Sequence, residues 1–140
     1  MLQIVIDTNV LVAAMRSNRG ASFRLLNQLG SLNWQPNVTV ALLLEYEYVL
    51  KRDCGEFGLT EEDIDDFLME FSLRAELNRQ YFLWRPVATD PDDDLVLEAA
   101  IASQSDFIVT FNKRDFPEST RFGIFCLTPK EFFIMLERPI

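Results

Sequence analysis

The chain has 140 residues, 49% of them hydrophobic, which is enough for one domain with a well-buried core and no covalent staples. It contains no histidine, which excludes Ser-His-Asp and Cys-His catalysis, histidine-ligated zinc and a histidine general base. A net charge of −9, from 22 acids against 13 basic residues, is the reverse of the basic footprint of a general nucleic-acid binder.

In chain order, residues 2–6 form an apolar, β-branched run interrupted only by Gln3, the pattern of a strand buried on both faces of a parallel sheet, and it ends on Asp7. The opening residues carry neither a basic segment nor a long apolar run, so no signal peptide or membrane span is expected and the chain reads as cytoplasmic. Helical spacing follows over residues 9–16 and 21–29, broken by Ser17-Asn18-Arg19-Gly20. A second strand is predicted over 33–38 and a helix over 39–52. Thr60-Glu61-Glu62-Asp63 is a capping-box start for a helix reaching residue 77, and 81–84 reads as a strand. Asp90-Pro91 opens a helix to 104, followed by strands over 106–111 and 124–127. Thr128-Pro129-Lys130-Glu131 then caps a last helix over 129–137.

Alternating strands and helices of this kind predict a single α/β domain over residues 1–140, with a parallel sheet covered by helices on both faces. Cys54 and Cys126 stand far apart, outside any C-x-x-C spacing, and read as reduced packing residues.

With so many acids present, those with a structural task can be set aside. Glu61, Glu62, Asp63, Asp65 and Asp66 lie in the first turns of their helix, where the macrodipole favours carboxylates. Glu47 stands four residues before Lys51, the favourable ion-pair orientation on a helix. Asp90 as N-cap, Pro91 as the first helical residue and Asp93 as the third make a helix cap. Three acids remain. Glu45 has apolar or aromatic neighbours at Ala41, Leu42, Tyr48 and Val49, a costly place for a carboxylate unless a cation or donors meet it or its head reaches water. Asp94 stands at the mouth of a mostly apolar helix. Asp7 ends what should be a central parallel strand, the edge where ligands bind in open α/β sheets, although an Asp there also suits a helix N-cap. Asn112 and Asp115 follow the strand over 106–111 and emerge at the same edge, where turn chemistry would also favour them. Such an oxygen-only set suits hard cations such as Mg²⁺ or Mn²⁺.

Four blocks resemble the PIN-domain family, and in particular its VapC-like toxin ribonucleases: Ile4-Val5-Ile6-Asp7-Thr8-Asn9-Val10-Leu11; Leu43-Leu44-Glu45-Tyr46-Glu47-Tyr48-Val49-Leu50; Asp90-Pro91-Asp92-Asp93-Asp94; and Ile108-Val109-Thr110-Phe111-Asn112-Lys113-Arg114-Asp115-Phe116. The resemblance implies a PIN-like three-layer α/β/α sandwich on a parallel sheet of about five strands. It implies Asp7, Glu45 and Asp94 as a catalytic, metal-binding triad of carboxylates. Asn112 departs from the family's commonest pattern, which has Asp there, so Asn112 through its amide oxygen or Asp115 would complete the metal site. Thr8, Asn9 and Thr110 would orient the acids. Arg16, Arg19, Arg24, Lys113 and Arg114 could border the site and touch RNA phosphates. The implied activity is Mg²⁺- or Mn²⁺-dependent hydrolysis of RNA by the toxin of a toxin–antitoxin pair, with an antitoxin partner and a homodimer as further expectations.

Two other readings compete. One is a PIN-like domain with a weakened site that serves as an RNA- or protein-interaction module, favoured by Asn112 and the acidic charge. The other is an aspartyl-nucleophile phosphatase or phosphate receiver. The haloacid-dehalogenase pattern asks for a second Asp two residues after the first, where this chain has Asn9.

Overall fold

The computed structural model describes residues 1–83 and 91–138. Among these residues five strands, β1 (Leu2–Ile6), β2 (Trp34–Val38), β3 (Glu76–Leu77), β4 (Phe107–Val109) and β5 (Phe125–Leu127), form one sheet in the order β3-β2-β1-β4-β5. Every pairing is parallel. Among the described residues six α-helices flank it: α1 (Thr8–Arg16), α2 (Ala21–Asn27), α3 (Val40–Asp53), α4 (Glu61–Arg74), α5 (Pro91–Ala102) and α6 (Pro129–Glu137). This is the expected α/β/α sandwich. Ile4, Val5 and Ile6 are all fully buried although successive side chains leave a strand on opposite faces, so β1 is covered from both sides.

Local chemistry sets the helix starts. Thr60 and Thr128 each accept from the amide three residues on, and Asp63 and Glu131 return the bond, as both capping boxes predict. Thr39 caps α3 through Leu42. The core is built on aromatic edges: Trp34 meets Phe132 at 5.8 Å and Tyr46 meets Phe71 at 5.7 Å, both edge-to-face. Within β2, Pro36 has no N–H to offer the sheet, and the side-chain amide of the neighbouring Asn37 donates to the Ile4 carbonyl at 3.3 Å.

The largest difference from the expectation follows the fourth helix. The fourth helix stops at Arg74, and the chain pairs with β2 at Glu76–Leu77 rather than at 81–84. Asn78 fixes that pairing, with its backbone amide on the Val38 carbonyl at 2.8 Å and its side chain on Asn37 at 3.1 Å. Tyr81 and Phe82 have strand-forming side chains but no buried face to put them on, and both are exposed. Trp84 and the expected cap residue Asp90 lie outside the described residues. The fifth helix ends at Ala102, short of residue 104, where Gln104 adopts a left-handed φ of 52°. Among the described residues no helix is long and apolar enough to cross a membrane.

The path of the chain locates the ligand edge. From β1 it moves outward through β2 to β3, then crosses to the other side of β1 to build β4 and β5. Strand order therefore reverses between β1 and β4, and in open parallel sheets the crevice beyond the carboxyl ends of such a pair is where ligands sit.

Candidate active site

Asp7 and Thr110 are the first residues past the ends of β1 and β4. The Asp7 amide still donates to the Val109 carbonyl at 2.9 Å, so register is kept to the last bond and the two side chains meet. The Thr110 hydroxyl donates to the Asp7 carboxylate at 2.7 Å. It accepts in turn from the Asn112 amide at 3.0 Å and from the Asn9 side chain at 3.4 Å, which uses its full bonding capacity. Asp7 occupies the backbone N-cap position of α1, yet its carboxylate makes no capping bond.

Burial pushes the Asp7 carboxyl above its ordinary value, since only 6% of the residue is exposed. The Thr110 hydroxyl and the nearby amides of Thr8 and Asn9 pull it back, while Asp115 pushes it up again. One residue before Asp7, the Ile6 carbonyl accepts a short hydrogen bond from the fully buried Tyr46 hydroxyl, which pins α3 to the end of β1. Burial, and then the charge of Asp7, raise the Tyr46 phenol well above its usual value. Because Glu45 precedes Tyr46, the same bond fixes the height of Glu45 beside the strand end.

A cleft of about 930 Å³ opens over this junction. Its walls are helix faces at regular spacing: Asn9, Val12, Ala13 and Arg16 from α1, then Glu45, Val49, Arg52 and Asp53 from α3. The start of α5 contributes Asp92 and Asp93, and the segment after β4 contributes Phe111, Asn112 and Asp115. Asp94 is instead buried inside α5 and acts on Glu98 one turn later. Burial raises the Glu98 carboxyl, the Leu83 amide at 2.8 Å partly offsets this, and Asp94 adds to the rise.

The donors along this cleft are carboxylate, amide and hydroxyl oxygens, with neither thiolate nor imidazole, a set that fits a hard divalent cation. Among the described residues no three acids converge closely enough to enclose an ion. It is the type of donor, rather than its convergence, that suits a metal, with Asp7 as the buried member and Glu45, Asp53, Asp92, Asp93 and Asp115 along the cleft.

The PIN-domain family model matches residues 3–114, four-fifths of the chain. The chain belongs to the PIN-domain family. None of the curated proteins matches it in sequence. Among solved structures, one chain of VapBC2 from Rickettsia felis, bound to a DNA fragment from its promoter, is similar in fold. Its TM-score is 0.58 at 18% identity, over 91% of this chain and 98% of that one.

In this PIN domain the expected residues divide. Asp7, Thr8, Asn9, Arg16, Glu45, Asn112 and Asp115 all line the cleft. Thr110 lies beneath it as the Asp7 donor. Lys113 is held by Glu131 at 2.5 Å, and Arg24 by Glu137 at 2.8 Å with its guanidinium 4.1 Å from the Phe133 ring. Arg19 and Arg114 are exposed but do not line the cleft. The residues missed are Arg52, Asp53, Phe111, Asp92 and Asp93. Arg52 and Asp53 were legible, standing seven and eight residues after Glu45 on one helix face. Asp93 was set aside as a cap residue, although a side chain in the first turn of a helix can also face whatever lies beyond its N-terminus.

Proposed function

We propose that this PIN domain is a metal-dependent ribonuclease that hydrolyses RNA phosphodiester bonds and serves as the toxin of a toxin–antitoxin pair. The single observation that carries the reading is Asp7: a buried carboxylate with raised pKa, held by Thr110, at the strand reversal of the sheet and open to a cleft of further acids. Asp7, Glu45 and Asp93 would hold a Mg²⁺ or Mn²⁺ ion, with Asn112 and Asp115 as further oxygen donors and Asp94 behind Asp93. The bound cation supplies Lewis acidity and a nucleophile at neutral pH for phosphodiester hydrolysis.

The chain's own residues do the rest. Thr110 and Asn9 keep the Asp7 carboxylate in one orientation, so that no reorganisation is needed as charge builds. Arg16 from α1 and Arg52 from α3 supply the cationic contacts to phosphates flanking the scissile bond. Glu56 engages Arg16 in an exposed pair that is weak enough to exchange for phosphate, whereas Asp53, itself largely covered, holds Arg52 through two hydrogen bonds at 3.0 and 3.1 Å. An antitoxin partner is supported by the apolar residues Val40, Leu44, Tyr48, Met69 and Leu73, exposed on α3 and α4, and a homodimer would draw on the same surface.

The test is cleavage of a labelled single-stranded RNA by the purified protein in Mn²⁺ and in chelator. Cleavage in Mn²⁺ alone, lost in Asp7→Asn, is expected. Equal cleavage by wild type and variant would remove the assignment. Two observations favour a second reading, an interaction module with a weakened site: among the described residues no three acids enclose an ion, and position 112 is Asn where the family's commonest pattern has Asp. RNA binding without cleavage, and no heat of Mn²⁺ binding, would select it.

A further inference from the structure

Phe111 stands on the wall of a cleft whose other described side chains are mainly carboxylates, amides and two guanidiniums, and 48% of it is exposed. It belongs neither to the buried core nor to the apolar residues packed against it. About half of the residue stays open to the cleft, so core packing alone does not account for an aromatic side chain there.

Its backbone is nonetheless firmly held. Thr110 before it is bonded to Asp7, Asn112 after it donates back to Thr110, and the Phe111 amide itself faces the Asn9 side-chain oxygen at 3.5 Å. An exposed aromatic side chain is thus carried on a fixed backbone, one residue from the partner of the central carboxylate. Arg16 and Arg52 open onto the same cleft. The ligand that matches a rigid π-face, guanidiniums and a site for phosphodiester chemistry together is a nucleotide with an unstacked base.

We infer that Phe111 is a positioning residue, a platform on which one unpaired nucleobase stacks beside the phosphodiester bound at Asp7. The inference rests on the nuclease reading for the identity of the strand. Stacking would align the backbone over the carboxylates, and base identity would matter little because every base has a π-face.

The test uses short fluorescein-labelled RNAs in which a single abasic nucleotide is moved along the strand, with binding followed by anisotropy in Ca²⁺ and cleavage followed in Mn²⁺. One abasic position should weaken binding to the wild type about ten-fold, the scale of one lost base–aromatic stack. Phe111→Ala should weaken the intact RNA by a similar factor and be indifferent to the abasic nucleotide at that position. Phe111→Tyr should stay within about two-fold of the wild type. Mn²⁺ affinity and melting temperature should be unchanged in both variants. Losses that multiply independently, no loss in Phe111→Ala, or no RNA binding by the wild type would overturn the platform. So would a wild-type dimer that Phe111→Ala splits into monomers. RNA that is bound with the predicted coupling but not cleaved in Mn²⁺ would count against the nuclease reading and leave the platform standing.

Discussion

The Thr110 hydroxyl donates to the Asp7 carboxylate at 2.7 Å, joining the ends of two adjacent parallel strands at the place where strand order reverses. A hydroxyl whose lone pairs are already taken by Asn9 and Asn112 has one orientation for its proton, and that orientation is toward Asp7.

Thr110→Val keeps the shape and removes the donor. The Asp7 carboxyl then loses the largest influence opposing its burial and holds its proton to higher pH. Mn²⁺ affinity should fall about 10–100-fold by calorimetry, the scale for losing a partner that orients a metal ligand. Denaturant unfolding in chelator at neutral pH should show a loss of about 1–3 kcal/mol. Thr110→Ser should restore most of both.

Asp7→Asn separates function from stability. With a raised pKa, Asp7 contributes most to stability at pH values below its ordinary 3.8, and that contribution is lost as pH rises through the raised folded value. Asparagine can still accept from Thr110 and has no charge to desolvate. In chelator at neutral pH the variant should melt a few degrees higher than the wild type, about the shift that 1 kcal/mol makes in a domain of this size. The difference should vanish near pH 3, and metal binding and RNA cleavage should be lost. A variant that melts lower than the wild type at neutral pH would show that the carboxylate is not penalised.

Tyr46→Phe tests how α3 is set against the sheet. The Ile6 carbonyl loses the phenol that meets it, in a fully buried position. The expected cost is about 1–3 kcal/mol in denaturant unfolding. Cleavage should fall as well, because Glu45 rides on the turn that this bond anchors.

Asp93→Asn and Asp94→Asn decide which acid of α5 serves the cleft. Asp93 lines it, whereas Asp94 is buried and acts on Glu98. Asp93→Asn should abolish Mn²⁺ binding. Asp94→Asn should retain measurable binding, and by relieving Glu98 of a neighbouring charge it should lower the pH at which Glu98 ionises. The converse ranking in calorimetry would return the third ligand to Asp94.

Much of this was legible in the sequence because it rests on periodicity and cap chemistry. The buried run before Asp7 read as a central strand, and Thr60 and Thr128 announced their helices through residues three positions on. Glu45 and Asp7 were found by asking which acids lacked a structural task, and both line the cleft. The same subtraction passed over Asp93, because capping and ligand binding ask the same thing of a first-turn carboxylate. Glu76–Leu77 was missed because an exposed two-residue edge strand has no hydrophobic pattern and is held by the Asn37–Asn78 pair, a contact across 41 positions that no local window contains. Phe111 was read as the end of a strand, and only the cleft around it gives its ring a task.

The central claim is that Asp7 belongs to a shared metal site, and a crystal soaked in Mn²⁺ with anomalous scattering tests it most directly. An anomalous peak bonded to Asp7 together with Glu45 and an acid from the start of α5, at about 2.0–2.3 Å from each oxygen, is the predicted result. A fully soaked crystal with no peak within reach of Asp7, or with Mn²⁺ only on surface acids remote from the cleft, would contradict it.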